Sequence, residues 1–126
     1  MLQHIIMTAA AACIATSAVA QVQRAFPQNA LRGVIAFGLM PEVKVNDVAA
    51  RVAPGAQIRD ANNTVVLPGA VTGGRFIVHY TVDTSGLVKD VWILRPEEMA
   101  VQPWPTTREQ AATWRFDPVG QFWVKP

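Results

Sequence analysis

Apolar and polar positions along this chain fall into short stretches of period two, separated by Gly, Pro, Asn and Asp. The clearest stretch is 75–83. Phe76, Val78, Tyr80 and Val82 alternate there with Arg75, His79, Thr81 and Asp83, and Ile77 is the one apolar member of the odd set. That alternation predicts a half-buried antiparallel strand with His79 on its polar, solvated face. Asp83-Thr84-Ser85-Gly86 follows as a turn in which Gly86 supplies the positive φ of a bulged loop. The return strand runs from Leu87 to Arg95. Its apolar set, Val88, Val91 and Ile93, slips out of alternation after Val88, and one extra residue there, a β-bulge, restores the register.

Upstream, Gly33–Gly38 is a short apolar run between glycines and predicts a strand that Pro41 closes. Glu42–Val45 and Val48–Val52 flank Asn46-Asp47, two residues that tolerate the left-handed conformation a two-residue hairpin turn requires. Pro54-Gly55 is expected to break the second of these strands. Residues 56–60 and 64–67 then form another hairpin around the tip Ala61-Asn62-Asn63. Downstream, Arg95–Ala100 predicts a single helical turn, with Pro96 at its first position and Glu97 and Glu98 at its positive end. After Pro103-Trp104-Pro105, the pair Thr106 and Glu109 has the spacing of a capping box. It opens a helix over 107–114 that Asp117-Pro118 ends, and 121–125 predicts a last short strand. The fold class is therefore mainly β, or α+β: a small antiparallel sheet of hairpins with one or two short helices near the C-terminal end.

The first twenty residues have a different character. Met1 to Ala20 contains no Lys, Arg, Asp or Glu, and its apolar, Ala-rich run ends in Ala18-Val19-Ala20 before Gln21. This is the pattern of a signal peptide with cleavage between Ala20 and Gln21. The apolar run falls short of the ~20 residues of a membrane span, so no stable span is expected after cleavage. Cys13 reads as a small residue of the apolar region rather than a lipidation site. The expected organisation is a signal peptide over 1–20, an aperiodic lead-in over 21–32 and one β-rich domain over 33–126. A chain of 126 residues suffices for one domain. The expected compartment is the periplasm of a Gram-negative cell, or the medium.

Composition narrows the chemistry. Eleven basic and nine acidic side chains give a net charge of +2, too balanced for nucleic acid or an anionic membrane surface. One Cys excludes a disulfide framework and a Cys-based zinc site. His79 is the one His after Ala20, with no second His at ligand spacing. Ser85 lies in a turn and not in a nucleophile elbow. Glu97 and Glu98 are adjacent and diverge on a helix. Asp60-Ala61-Asn62-Asn63 lacks the Gly and the closing Glu of a calcium loop. No catalytic residue, cofactor site or metal site is assigned. Trp92, Trp104 and Trp114 are expected to build the core where helix meets sheet, with Trp123 partly exposed near the chain end.

Two resemblances bear on function. Residues 75–95, with Gly86, Val88, Val91 and Ile93, followed by Trp114-Arg115-Phe116-Asp117-Pro118, resemble the TonB C-terminal domain family, which places a similar half-domain at 75–126. The chain departs from that family in Pro103 and Pro105 before the helix and in a shorter last strand. The resemblance implies periplasmic protein–protein contact without catalysis. A second set of segments is similar to small exported proteins of proteobacteria and implies export without assigning a site. It comprises Phe26-Pro27, Asn29-Ala30, Arg32-Gly33, Ala53 to Asn63, Val88 to Leu94 and Pro96-Glu97-Glu98. The expected function is a non-enzymatic interaction module for an envelope protein, through an edge strand that accepts a partner strand. The first alternative is a structural or inhibitory protein with an exposed Trp patch; Trp104, Trp123, Phe122, Ile77 and His79 form the candidate surface. The second is an enzyme centred on His79, which requires a cleft joining His79 to Asp90 or Asp117. The partner and the oligomeric state are not specified by the sequence.

Overall fold

The structure, a computed structural model, describes residues 23–126. The cleavage assignment at Ala18, Ala20 and Gln21 lies outside the described residues. The chain is mainly β, with two short helices toward its C-terminal end. Its strands are β1 (Leu31–Phe37), β2 (Glu42–Val45), β3 (Val48–Arg59), β4 (Val65–Val66), β5 (Arg75–Val82) and β6 (Val88–Ile93). Then come helices α1 (Pro96–Met99) and α2 (Arg108–Thr113), and a separate hairpin of β7 (Arg115–Asp117) and β8 (Phe122–Val124).

β1 pairs antiparallel with β2 on one side and with β5 on the other. β2 pairs with β3, β5 pairs with β6, and β6 returns to run parallel to β3. Five strands thus close into a ring, with β4 appended to the far end of β3. The first three strands are joined in succession and β5 comes back beside β1, which is Greek-key connectivity in a closed five-stranded barrel. Hairpins dominate as the sequence predicts; the parallel β3–β6 pair is the departure from an all-antiparallel sheet.

Local chemistry explains the joints. Asn46 and Asp47 both take positive φ (50° and 67°) in the β2–β3 turn, and Asn46 Oδ1 accepts from the Val34 N–H at 2.9 Å. Gly33 lies under this turn. A Cβ there would sit 3.0 Å from the Tyr80 ring and 3.1 Å from the Asn46 amide. The bulge expected in the return strand is present, because Tyr80 faces Val91 while Val82 faces Val88. Thr81 Oγ1 accepts from the Asp90 N–H at 3.2 Å, supplying a partner where the ladder is interrupted. Gly86 takes φ +83°, and Asp83 Oδ1 accepts from the N–H groups of Ser85 and Leu87, so these residues serve the turn.

Several boundaries move. Pro54-Gly55 does not end its strand. β3 continues to Arg59 with a wide bulge, in which the register jumps from Val52↔Val88 to Gln57↔Asp90 and Gly55 takes φ +76°. β1 begins at Leu31 rather than Gly33. The helix cap is Thr107, not Thr106: Thr107 Oγ1 accepts from the Gln110 N–H at 3.2 Å, and Gln110 Oε1 accepts from the Thr106 N–H at 2.9 Å. Residues 115–117, expected only to end the helix, pair with 122–124 as a second small sheet.

There are two cores. The barrel interior holds Leu31, Ile35, Phe37, Val43, Val52, Ile58, Val78, Tyr80, Val88 and Val91. The second core contains Phe26, Ala30, Leu94, Trp104 and Trp123, with Trp92, Trp114 and Phe116 packed against it. Leu94 at the end of β6 and the His79 ring of β5 tie it to the sheet, since His79 stacks on Trp104 and meets Phe26 edge-on. The lead-in is part of this core, because Arg24, Phe26 and Ala30 are buried. Trp104 and Trp123 each withdraw ~150–250 Å² from water, roughly 4–6 kcal/mol apiece before entropy is counted.

Candidate functional site

The residues expected to form an exposed surface do not form one. His79 is 1% exposed, Trp104 5% and Trp123 2%, whereas Ile77 and Phe122 stand 41% and 43% exposed. His79 does project from the barrel on the polar side of β5, but there the second core covers it, so it is as buried as Val78 and Tyr80 on the inner face. The terminal position of Trp123 did not leave it in solvent, because β8 folds back on β7 and sets its ring 6.1 Å from Trp104 and 4.8 Å from Phe116. Trp92 and Trp114 are half-buried at the margin of the same core. The edges are short as well. β4 has two residues and β7 and β8 three each, under the roughly five of an ordinary strand.

His79 occupies a defined polar setting. Its ring stacks on Trp104 at 4.1 Å and meets Phe26 edge-on at 4.4 Å. Arg32 Nε–H donates to His79 Nε2 at 3.2 Å. The other Arg32 nitrogens donate to the carbonyls of Glu98, Met99 and Val101, where α1 ends, so Arg32 ties β1 to that helix. An arginine only donates, so His79 Nε2 carries the lone pair and the proton sits on Nδ1. That Nδ1 is buried and has no partner, as is Trp123 Nε1. Burial, then the charges of Arg32 and Arg24, push the His79 pKa down to about 2, so the ring stays neutral. The pairing a His-based catalyst requires is not formed. Asp90 bonds Thr81, and Asp117 Oδ1 accepts from the N–H groups of Val119 and Gly120.

Beside this lies a buried ion pair that sequence reading missed. Arg24 Nε donates to Glu98 Oε2 at 2.9 Å and its Nη2 to Glu98 Oε1; Nη1 reaches the Asp60 carbonyl at 3.0 Å and Nη2 the Ile93 carbonyl at 2.8 Å. Glu98 Oε1 also accepts from the Arg95 N–H at 2.9 Å, closing the first turn of α1. Burial raises the Glu98 pKa, but the hydrogen bonds from Arg24 and Arg95 and their charges outweigh it, and the carboxyl lies below its ordinary value.

Arg24 is also one wall of a cleft of about 710 Å³ between the lead-in, the β3–β4 hairpin tip and β6. Arg24, Arg59, Arg95, Trp92, Asn62 and Asn63 line it, and no Asp or Glu does. Arg59 lies over the Trp92 ring at 5.9 Å and is held by Gln57 Oε1 at 2.7 Å; Arg95 Nε donates to the Ala61 carbonyl. The hairpin tip is set by Asp60 Oδ1, which accepts from the Asn62 and Thr64 N–H groups, and by Asn63 at φ 61°. This is the turn predicted for these residues. The three arginines are far apart in sequence with acids between them, so no single stretch of the chain marks them as a cluster. A faint signal was present: Asn62-Asn63 and Arg59 follow the bulge-forming Pro54-Gly55, and Trp92 is an aromatic residue in a strand that otherwise buries valines. Among the described residues no group of His, Cys, Asp and Glu is placed to hold a metal ion, and no helix is long and apolar enough to cross a membrane. The chain matches no family model, no curated protein and no solved structure.

Proposed function

We propose that this protein is a non-enzymatic interaction module of the bacterial envelope, exported by the segment ending at Ala20, and that it docks an acidic segment of a partner protein. The observation that carries the reading is the cleft lined by Arg24, Arg59, Arg95 and Trp92 with no carboxylate among its lining residues. Guanidinium groups recognise carboxylates by paired N–H donors, and Arg and Trp are the side chains that most often anchor interfaces. All three arginines are held before any partner arrives, Arg24 by Glu98 and two carbonyls, Arg95 by the Ala61 carbonyl and Arg59 by Trp92 and Gln57; Arg59, the partly exposed one, meets the incoming carboxylate, and its binding loses little side-chain freedom. Docking in a cleft replaces strand addition as the mode, because β4, β7 and β8 are too short to template a partner strand.

The test is in-cell crosslinking of the tagged full chain in a Gram-negative host, beside the Arg59→Glu variant. Arg59 is partly exposed and outside both cores, so charge reversal there leaves the fold intact. A partner with an acidic segment, recovered with the wild type, lost with Arg59→Glu and weakened by added salt, supports the reading. Equal recovery with both chains, or no partner with a correctly exported chain, refutes it.

A further inference from the structure

A second cavity, of about 270 Å³, lies between the lead-in, α1 and the segment around Trp104. Phe26, Trp104 and Val101 give it apolar walls, and His79 and Gln121 stand among its polar ones. Three features of it point to a ligand. The first is the Nδ1–H of His79. Arg32 fixes the tautomer by donating to Nε2, which leaves a buried donor without an acceptor in a side chain that lines the cavity. Such orphans are rare in folded proteins, because a buried donor without a partner is costly. The second is size. A single water, at about 30 Å³ of liquid volume, would satisfy the donor and leave most of the cavity empty. The third is charge. Arg24 and Arg95 line the cavity opposite Glu97 and Glu98, so its walls carry no net charge and give a charged ligand no advantage.

We infer that this cavity is a binding site for a small neutral carbonyl compound with a flat apolar body, such as a carboxamide or lactam, whose oxygen accepts from His79 Nδ1–H. The ring or chain of the ligand lies against Phe26 and Trp104, which already present an edge and a face to His79. The site shares Arg24 and Arg95 with the outer cleft but not Arg59 or Trp92, so it does not rest on the partner-docking reading.

Benzamide is the probe, with benzoate as the charged isostere and toluene as the ring without an acceptor. Titration of the full ¹⁵N-labelled chain is followed by NMR at the His79 imidazole nitrogens. The expected result is saturable benzamide binding that moves the Nδ1 signal, with a protonated Nδ1 and an unprotonated Nε2 in the free protein. Benzoate and toluene should bind at least about fivefold more weakly. His79→Phe should weaken benzamide roughly three- to tenfold, the range of one neutral hydrogen bond, while leaving toluene unchanged. Arg59→Glu should leave benzamide binding as it is, which separates this site from the cleft. The inference is overturned by an absence of saturable benzamide shifts up to its solubility limit, by equal binding of toluene, or by a proton found on Nε2. Should His79→Phe fold poorly, the tautomer and the three-ligand comparison in the wild type decide alone.

Discussion

Mild acid should destabilise this fold chiefly through His79. In the unfolded chain the imidazole takes up a proton near its ordinary value of about 6.5. In the folded protein its pKa is pushed down to about 2 by burial and by the charges of Arg32 on β1 and Arg24 on the lead-in. Between those values the unfolded state binds more protons, so stability rises with pH. The His79 contribution is fully present above the unfolded value and is lost progressively as the pH falls from about 6.5 toward 2. The full slope is about 1.4 kcal/mol per pH unit, and integrating from pH 7.5 to 5.0 gives a loss of about 2 kcal/mol. That is a large share of the ~5–15 kcal/mol total of a typical domain. Glu98 on α1, which lines the same cavity, has a lowered pKa, so its share is present above the unfolded carboxylate value and lost only at lower pH. His79 is the sole His of the described residues, which isolates the effect. The assay is urea unfolding of the wild type and His79→Phe at pH 7.5, 6.5, 5.5 and 5.0. The variant starts less stable, because Arg32 loses its acceptor, but its stability should be nearly flat over this range. Parallel pH profiles for the two proteins would refute the assignment of the slope to His79.

Three further substitutions probe the joints of the fold. Gly33→Ala should cost about 1–3 kcal/mol in denaturant unfolding, since the added Cβ presses on the Tyr80 ring and the Asn46 amide; an unchanged midpoint would show that the β2–β3 turn yields freely. Arg24→Met should cost about 3–5 kcal/mol by leaving the Glu98 carboxylate buried without its partner. Adding Glu98→Gln should then recover part of that loss, and a double variant no more stable than the single one would show that the charge is not the cause. Thr107→Ala removes the acceptor for the Gln110 N–H and should lower stability by about 1 kcal/mol in the same unfolding assay; a loss under about 0.3 kcal/mol would place the cap elsewhere.

What could be read from the sequence is what turn chemistry and period specify locally. Asn46-Asp47 gives a hairpin because few other residue pairs accept two positive φ values in succession. Asp83 to Gly86 gives a turn for the same reason, and the misplaced Val91 gives a bulge because the barrel needs it inside. Pairing partners were less legible. A period of two states that a strand has two faces, not which strand lies beside it, so barrel closure through parallel β3 and β6 left no mark in the pattern. Pro54-Gly55 read as a break because the same residues make a bulge or an end, and only the partner strand decides between them.

His79 stands among the candidate residues of the sequence, but its burial was not legible there. Alternation marks residues 79 and 81 as polar, and on a sheet with one wet face polar means exposed. Here the outer face of β5 is covered by a segment with no period of its own, the lead-in carrying Arg24 and Phe26. Aperiodic chain gives no warning that it will pack. Once it does, the polar residues beneath it must find partners within the protein. Arg32 finds His79 and the end of α1, and Arg24 finds Glu98 across 74 positions of sequence. Of these, Arg24 lines both the cleft and the cavity, and His79 and Glu98 line the cavity. The wall that Arg24 gives to both hollows and the edge of His79 left without a partner are thus consequences of one packing event, the docking of residues 23–30 on the sheet. A chain whose lead-in cannot dock should lose the cavity and the shape of the cleft together while keeping the barrel, whose interior core contains none of the residues from 23 to 30.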